Sequence, residues 1–110
     1  MQSQNEIKKI ILTGNFVSKL SETNTKNRVN GSPKAFVMDN KGNIFIASTS
    51  NQIQRFDAKT KEISVIAKEF NNLSDIIFDD KGDLLVADTG NNRIQRIRLI
   101  DYSVSTIIGK

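Results

Sequence analysis

Apolar and polar residues alternate in short blocks along most of this chain. Runs of three or four apolar residues recur as Ala35-Phe36-Val37-Met38, Ile44-Phe45-Ile46-Ala47, Ile76-Ile77-Phe78 and Leu84-Leu85-Val86-Ala87. Such runs are too short for helices and predict strands. Their unbroken apolar character predicts cover on both faces. A turn separates the members of each pair, Asp39-Asn40-Lys41-Gly42-Asn43 in one case and Asp79-Asp80-Lys81-Gly82-Asp83 in the other. Gly42 and Gly82 are expected to take the left-handed conformation that closes a type I turn with a bulge. Each second run leads into a polar turn, "STSNQ" or "DTGNNR", and then into a third strand, Ile53 to Phe56 or Ile94 to Leu99. A fourth strand follows in each case, Ile63 to Ala67 and Val104 to Ile108.

The blocks are copies of one unit. "KGNIFIASTSNQIQRF" and "KGDLLVADTGNNRIQRI" align with Asp39 on Asp79, Gly42 on Gly82 and Ala47 on Ala87. One extra Asn in the second polar turn then puts Ile53 on Ile94, Arg55 on Arg96 and Ser64 on Ser105. A length change of one residue in a turn is what duplicated hairpins tolerate. A period of about 40 residues belongs to propeller blades or helical repeats, and the strand pattern selects the first. Four strands joined by tight turns make an up-and-down sheet, and such sheets packed radially form a β-propeller.

The stretch "GDLLVADTGNNRIQRI" resembles the signature of the NHL repeat, an apolar strand followed by Val-Ala-Asp-Thr-Gly-Asn-Asn-Arg-Ile. "GNIFIASTSNQIQRF" resembles a degenerate copy, and "SPKAFVMDNKG" carries the family's Pro just before the innermost strand. "IKKIILTGN" resembles the outermost strand of a preceding blade. The resemblance covers residues 7–14 and 33–109. It implies an all-β propeller fragment of two four-stranded antiparallel blades plus one N-terminal outer strand. The expected division is a tail and outer strand over 1–14, a polar inter-blade loop over 15–33, blade 1 over 34–68 and blade 2 over 69–110. Propellers of this family close with about six blades, within the usual range for the architecture.

Composition then narrows the chemistry. The chain of 110 residues has no Cys and no His. It therefore has no disulfide framework, no thiolate nucleophile and no imidazole base or ligand. Propeller enzymes that resemble this family use His, metals or both near the central axis, so the expectation is that this chain is not an enzyme. The alternative is a piece of a propeller enzyme whose active residues lie on other blades. No cofactor is implied. The "DNKGN" and "DDKGD" turns carry oxygen ligands but lack the spacing and final Glu of a calcium loop, and turn formation accounts for them, so no metal site is expected. Nothing in the sequence predicts a membrane span or a signal peptide, and the compartment is left open. Asn30-Gly31-Ser32 and Asn72-Leu73-Ser74 match the glycosylation acceptor pattern, which has meaning only in a secreted eukaryotic protein.

The expected function is protein or peptide binding, or scaffolding. In an up-and-down sheet successive loops alternate between two ends. The polar turns therefore share an end with the loops over 15–33 and 68–74. The candidate binding face holds Lys19, Lys26, Arg28, Lys34, Asn51, Asn91, Asn92 and Arg93. RNA is the competing ligand, implied by relatives that bind single strands on a basic face. The net charge of +4 and these cations suit phosphate. The six Phe, however, lie mostly inside apolar runs, which leaves little for stacking on bases.

Asp88 and Arg93 flank the second polar turn, where the first copy has Ser48 and Gln52. Their joint replacement suggests an ion pair that holds the turn, so Asp88 and Arg93 join Gly42 and Gly82 as structural turn residues. Two blades also leave apolar sheet faces uncovered. Self-association, or further blades completing the propeller, is expected.

Overall fold

The computed structural model describes residues 13–20 and 29–109. Eight strands form two four-stranded sheets. Strands β1 (Pro33–Met38), β2 (Ile44–Ser48), β3 (Ile53–Phe56) and β4 (Ile63–Ala67) make blade 1. Strands β5 (Leu73–Phe78), β6 (Leu84–Asp88), β7 (Arg93–Ile97) and β8 (Val104–Gly109) make blade 2. Every neighbouring pair is antiparallel and each sheet follows chain order, as tight turns require. The two sheets repeat even their irregularities. Bulges interrupt β1 between Pro33 and Ala35 and β5 between Leu73 and Asp75. Others stand at Ile53/Gln54 and Ile94/Gln95.

The turn glycines act as their position demands. Gly42 has φ 89° and Gly82 φ 83°. Each donates its N–H to the carbonyl of the turn's first Asp, Asp39 or Asp79, at 3.2 Å. The carboxylates of these aspartates close the same turns. Asp39 Oδ1 accepts from the N–H of Lys41 and Asn43, and Asp79 Oδ1 from Lys81 and Asp83. These oxygens are thereby engaged by backbone amides, as Asx turns are.

The alternation of side chains across β2 explains its unbroken apolar run. All five residues of β2 are buried. Phe45 and Ala47 face blade 2, in a core with Phe70, Leu73, Ile76, Leu84, Val86 and Ile97. Phe45 meets Phe78 edge-on across the joint, with ring centroids 5.8 Å apart. Ile44 and Ile46 face the other way, in a second core with Phe56, Val17, Leu20 and Val29.

Val17 and Leu20 belong to a helix, α1 (residues 13–20). From the sequence, residues 13–14 are expected to end an outer strand and residues 15–20 to begin a polar loop, and the structure corrects this. Thr13, Val17 and Leu20 are the buried residues of the segment, spaced four and three apart on one face of a helix. That stripe covers the outer face of blade 1, and Phe16 adds an edge-on contact to Phe56 at 5.1 Å. Residues 7–12 of the expected strand and 21–28 of the expected loop lie outside the described residues.

Candidate binding face

Four connections meet at one end of the two sheets: residues 29–32, the β2–β3 turn (49–52), the β4–β5 connection (68–72) and the β6–β7 turn (89–92). Hydrogen bonds tie them together in pairs. In blade 1, Thr49 N–H donates to Ser32 O at 2.8 Å and Ser32 N–H to Thr49 Oγ1 at 2.9 Å. The Ser50 hydroxyl donates to Asn30 O at 3.1 Å, and Asn30 Nδ2 to Gln52 Oε1 at 3.1 Å. In blade 2, Gly90 N–H donates to Asn71 O at 2.7 Å. Each polar turn thus clasps the segment that leads into its own blade's first strand.

Asp88 is the centre of the blade 2 clasp. It is fully buried. Its Oδ2 accepts from Arg93 Nε at 2.7 Å and from Asn91 Nδ2 at 3.0 Å, and its Oδ1 from the Asn71 N–H at 2.6 Å. Burial by itself would raise the pKa of this carboxyl. The Asn71 amide, the Asn91 side chain and the Arg93 guanidinium outweigh burial and hold the pKa below the ordinary value. The ion pair across the turn is the one the sequence suggests. The backbone amide it satisfies belongs to the preceding connection rather than to residues 89–92. Asn92 closes a 3-10 turn over Thr89–Asn91 in the left-handed conformation, with φ 53°.

Blade 1 solves the same problem without charge. Ser48 is as buried as Asp88, and its hydroxyl lies 2.6 Å from Ser50 Oγ. In blade 1 a side chain takes the Asn30 N–H, one residue before the position that corresponds to Asn71, and the acceptor is Gln54 Oε1 at 2.9 Å. Gln54 is buried. Its counterpart Gln95 is instead turned to Arg93. With its amide oriented to suit its neighbours, Gln95 Oε1 accepts from Arg93 Nη2 at 2.9 Å and Nε2 donates to Thr106 Oγ1 at 3.2 Å. The sequence contains no sign of this exchange, because the Gln is the same in both copies.

The other candidate residues divide by exposure. Asn51, with φ 61°, accepts the Leu73 N–H at 3.3 Å, so it joins the two blades. Lys34 is exposed, and its Nζ donates to Asn72 Oδ1 at 3.1 Å across the same joint. Lys19 is exposed on α1. Lys26 and Arg28 lie outside the described residues. Beside Lys34 a cavity of about 360 Å³ opens between α1 and β1, lined by Gly14, Asn15, Val17, Ser18, Pro33 and Phe36. Among the described residues no three Asp or Glu groups gather as metal ligands would. No described helix is long and apolar enough to cross a membrane.

At the opposite end Asn43 and Asp83, each directly after a turn Gly, do work that the sequence reading missed. Asn43 Oδ1 accepts the Ala58 N–H at 2.9 Å, and Asp83 Oδ1 the Leu99 N–H at 3.0 Å. Each fastens one hairpin turn of its blade to the next. The readable signal was a short oxygen-bearing side chain at the same place in both copies.

Comparison with known proteins agrees with this architecture. Residues 70–97 match the family model described as NHL repeat. None of the curated proteins matches the chain. Among solved structures, the chain is similar to virginiamycin B lyase from Staphylococcus aureus, a β-propeller, with a TM-score of 0.59 and 17% identity. The alignment covers 76% of this chain and 28% of that one, so this chain spans under a third of the propeller it matches. Residues 70–97 are an NHL repeat, set in a chain that folds as two blades of a β-propeller.

Proposed function

We propose that this chain is a non-enzymatic binding module that takes an extended protein or peptide segment across the end built by residues 29–32, 49–52, 68–72 and 89–92. One observation carries the reading. Exposed amide side chains and backbone groups crowd this end, including Asn30, Asn71, Asn72 and Asn92, while its central carboxylate is buried beneath them. A primary amide offers a donor and an acceptor together, as a peptide bond does. Asp88 has its oxygens occupied and its charge matched by Arg93, which leaves it poorly suited to acid or base chemistry. The chain has no His to replace it. The likeness to a lyase is one of fold.

RNA is the less favoured ligand. Phe45, Phe56 and Phe70 are buried and Phe36 and Phe78 half-buried, while exposed Phe16 packs on Phe56 and exposed Tyr102 lies at the other end of the sheets, so bases find little to stack on at this end.

The test is selection of linear peptides from a random display library on the immobilised chain, followed by titration. Lys34→Glu and Gln52→Ala are expected to weaken a selected peptide about tenfold each, or about 1.4 kcal/mol, and to lower the melting temperature only slightly, because each gives up one exposed hydrogen bond. Peptide affinity untouched by both substitutions would overturn the assignment of this end. Binding of a single-stranded RNA pool that weakens steeply with salt would replace peptide by RNA.

A further inference from the structure

The outer face of blade 2 corresponds, in register, to the face of blade 1 that receives blade 2. On blade 1 two cross-strand rows make that face: Val37–Phe45–Arg55–Ser64 and Ala35–Ala47–Ile53–Ala67. On blade 2 the corresponding rows are Ile77–Leu85–Arg96–Ser105 and Asp75–Ala87–Ile94–Ile108. All of the first set but Arg55 and Ser64 packs in the core of the joint. Phe45 is 2% exposed and Ala67 8%. The second set is open, with Ile77 52% and Ile108 62% exposed.

The opposite faces correspond in the same way. Blade 2 presents Ile76, Val86, Leu84 and Ile97 to blade 1. Blade 1 carries Phe36, Ile46, Ile44 and Phe56 at those positions, and α1 covers them. The chain therefore holds both halves of one joint, an open receiving face at one end and a capped inserting face at the other. The joint that already exists inside the chain shows that the two kinds of face fit.

We propose that a second copy of this chain docks head to tail on the open face of blade 2, inserting the face of its own blade 1 after α1 leaves it. This goes beyond the peptide-binding reading and uses different surfaces. The cap is the weaker cover. It contributes Val17 and Leu20 to the face it covers, whereas the receiving face of blade 1 contributes Phe45, Ala47, Ile53 and Ala67 to the joint inside the chain. Rising concentration favours the bound state by mass action. A head-to-tail contact is heterologous, and repeating a propeller's own blade rotation closes it into a ring.

Four of the eight positions differ from the template: Ile77 for Val37, Leu85 for Phe45 and Ile108 for Ala67 keep the open face apolar, and the fourth brings a charge. Asp75 stands where blade 1 has Ala35. Docking desolvates a carboxylate there, which weakens the joint.

The experiment is sedimentation velocity of the full chain over a concentration series, with three variants whose folding is checked by circular dichroism. The parent is expected to associate with rising concentration. Ile77→Lys, on an exposed position, is expected to abolish association. Asp75→Ala is expected to tighten it about tenfold. Phe16→Ala removes the cap's edge contact with Phe56 and is expected to strengthen association. A parent that stays monomeric into the millimolar range overturns the proposal, as does association that survives Ile77→Lys. Association lost in Ile77→Lys but unchanged in Phe16→Ala means that two open faces pair with each other, and equally overturns head-to-tail docking. Association unchanged or weakened in Asp75→Ala removes blade 1 as the template for the joint.

Discussion

The turns after β2 and β6 occupy the same place in two copies of one blade, yet they are held by different physics. Around Asp88 a buried charge gathers a guanidinium, a side-chain amide and a backbone N–H. Around Ser48 neutral groups share the task, with the hydroxyls of Ser48 and Ser50 close together and Gln54 reaching the Asn30 N–H. Both arrangements pin the incoming connection to its own sheet. The difference is one of concentration. Blade 2 routes several bonds through a single carboxylate, whereas blade 1 spreads them over Thr49, Ser50, Gln52 and Gln54. A distributed clasp tolerates loss of any one member better than a centralised one.

The largest consequence is for substitution at the centre. Asp88→Ala is expected to destabilise the chain by about 2–3 kcal/mol, because the Asn71 N–H loses its acceptor and Arg93 its counter-charge. Arg93 is partly exposed, and the water it reaches keeps the cost from rising further. Ser48→Ala is expected to cost under about 1 kcal/mol. Urea denaturation of the two variants beside the parent measures both, and equal midpoints would erase the contrast between the turns.

Acid acts on the same centre more gently. A carboxyl whose folded pKa lies below its unfolded value of about 3.9 stabilises the fold above that value. The contribution fades as pH falls through the folded pKa. Asp88 is such a group, and so is half-buried Asp57, lowered to about 2 chiefly by its hydrogen bond with Arg55. Stability should therefore decline from about pH 4 downward. Asp88→Asn should flatten that decline more than Ser48→Ala does, in denaturation curves taken across the acid range. Native-state hydrogen exchange at low pH should also show the Asn71 amide losing protection before that of Asn30. The reverse order would mean that blade 1 depends on charge as much as blade 2.

Gln54 offers the complementary break. Gln54→Leu keeps an apolar stem in the buried site but strips the acceptor from the Asn30 N–H, at a cost of about 1–2 kcal/mol. Gln95→Leu loses an additional acceptor for Arg93 and a bond to Thr106 Oγ1 but leaves no backbone N–H unpaired, and is expected to cost about half as much. Equal losses in denaturant midpoint would show that the two glutamines serve alike, against the geometry.

These pairs also show what could be read from the chain itself. The strands were legible because short apolar runs, glycine turns and a period near 40 all agree. The Asp88–Arg93 pair was legible because both members are replaced together in the other copy. The hold of Asp88 on Asn71 was not, since it joins residues 17 apart through a fold that must exist first. Gln54 and Gln95 hid their divergence behind an identical residue. Helix α1 escaped because Val17 and Leu20 stand among Ser, Thr, Asn and Lys, and its apolar stripe has meaning only against the outer face of blade 1.

The smallest expected effect lies at the far ends of the blades, and it shows whether their difference is local. Gly42 and Gly82 hold nearly the same left-handed φ and make the same bond to the turn's first Asp. Alanine at either position meets the strain of positive φ, about 1–2 kcal/mol. The surroundings differ slightly. A Cβ at Gly42 would stand 3.3 Å from Ala58 Cβ, whereas one at Gly82 would meet nothing within 4 Å. Gly42→Ala is therefore expected to cost more than Gly82→Ala by only a few tenths of a kcal/mol, the size of a minor packing adjustment. Asparagine accepts this conformation more readily, so Gly82→Asn should recover part of the loss. Denaturation midpoints of the three variants would settle it. A gap between the two glycines as wide as that between Asp88→Ala and Ser48→Ala would place the difference in the blades as wholes, not in how each clasps its incoming connection.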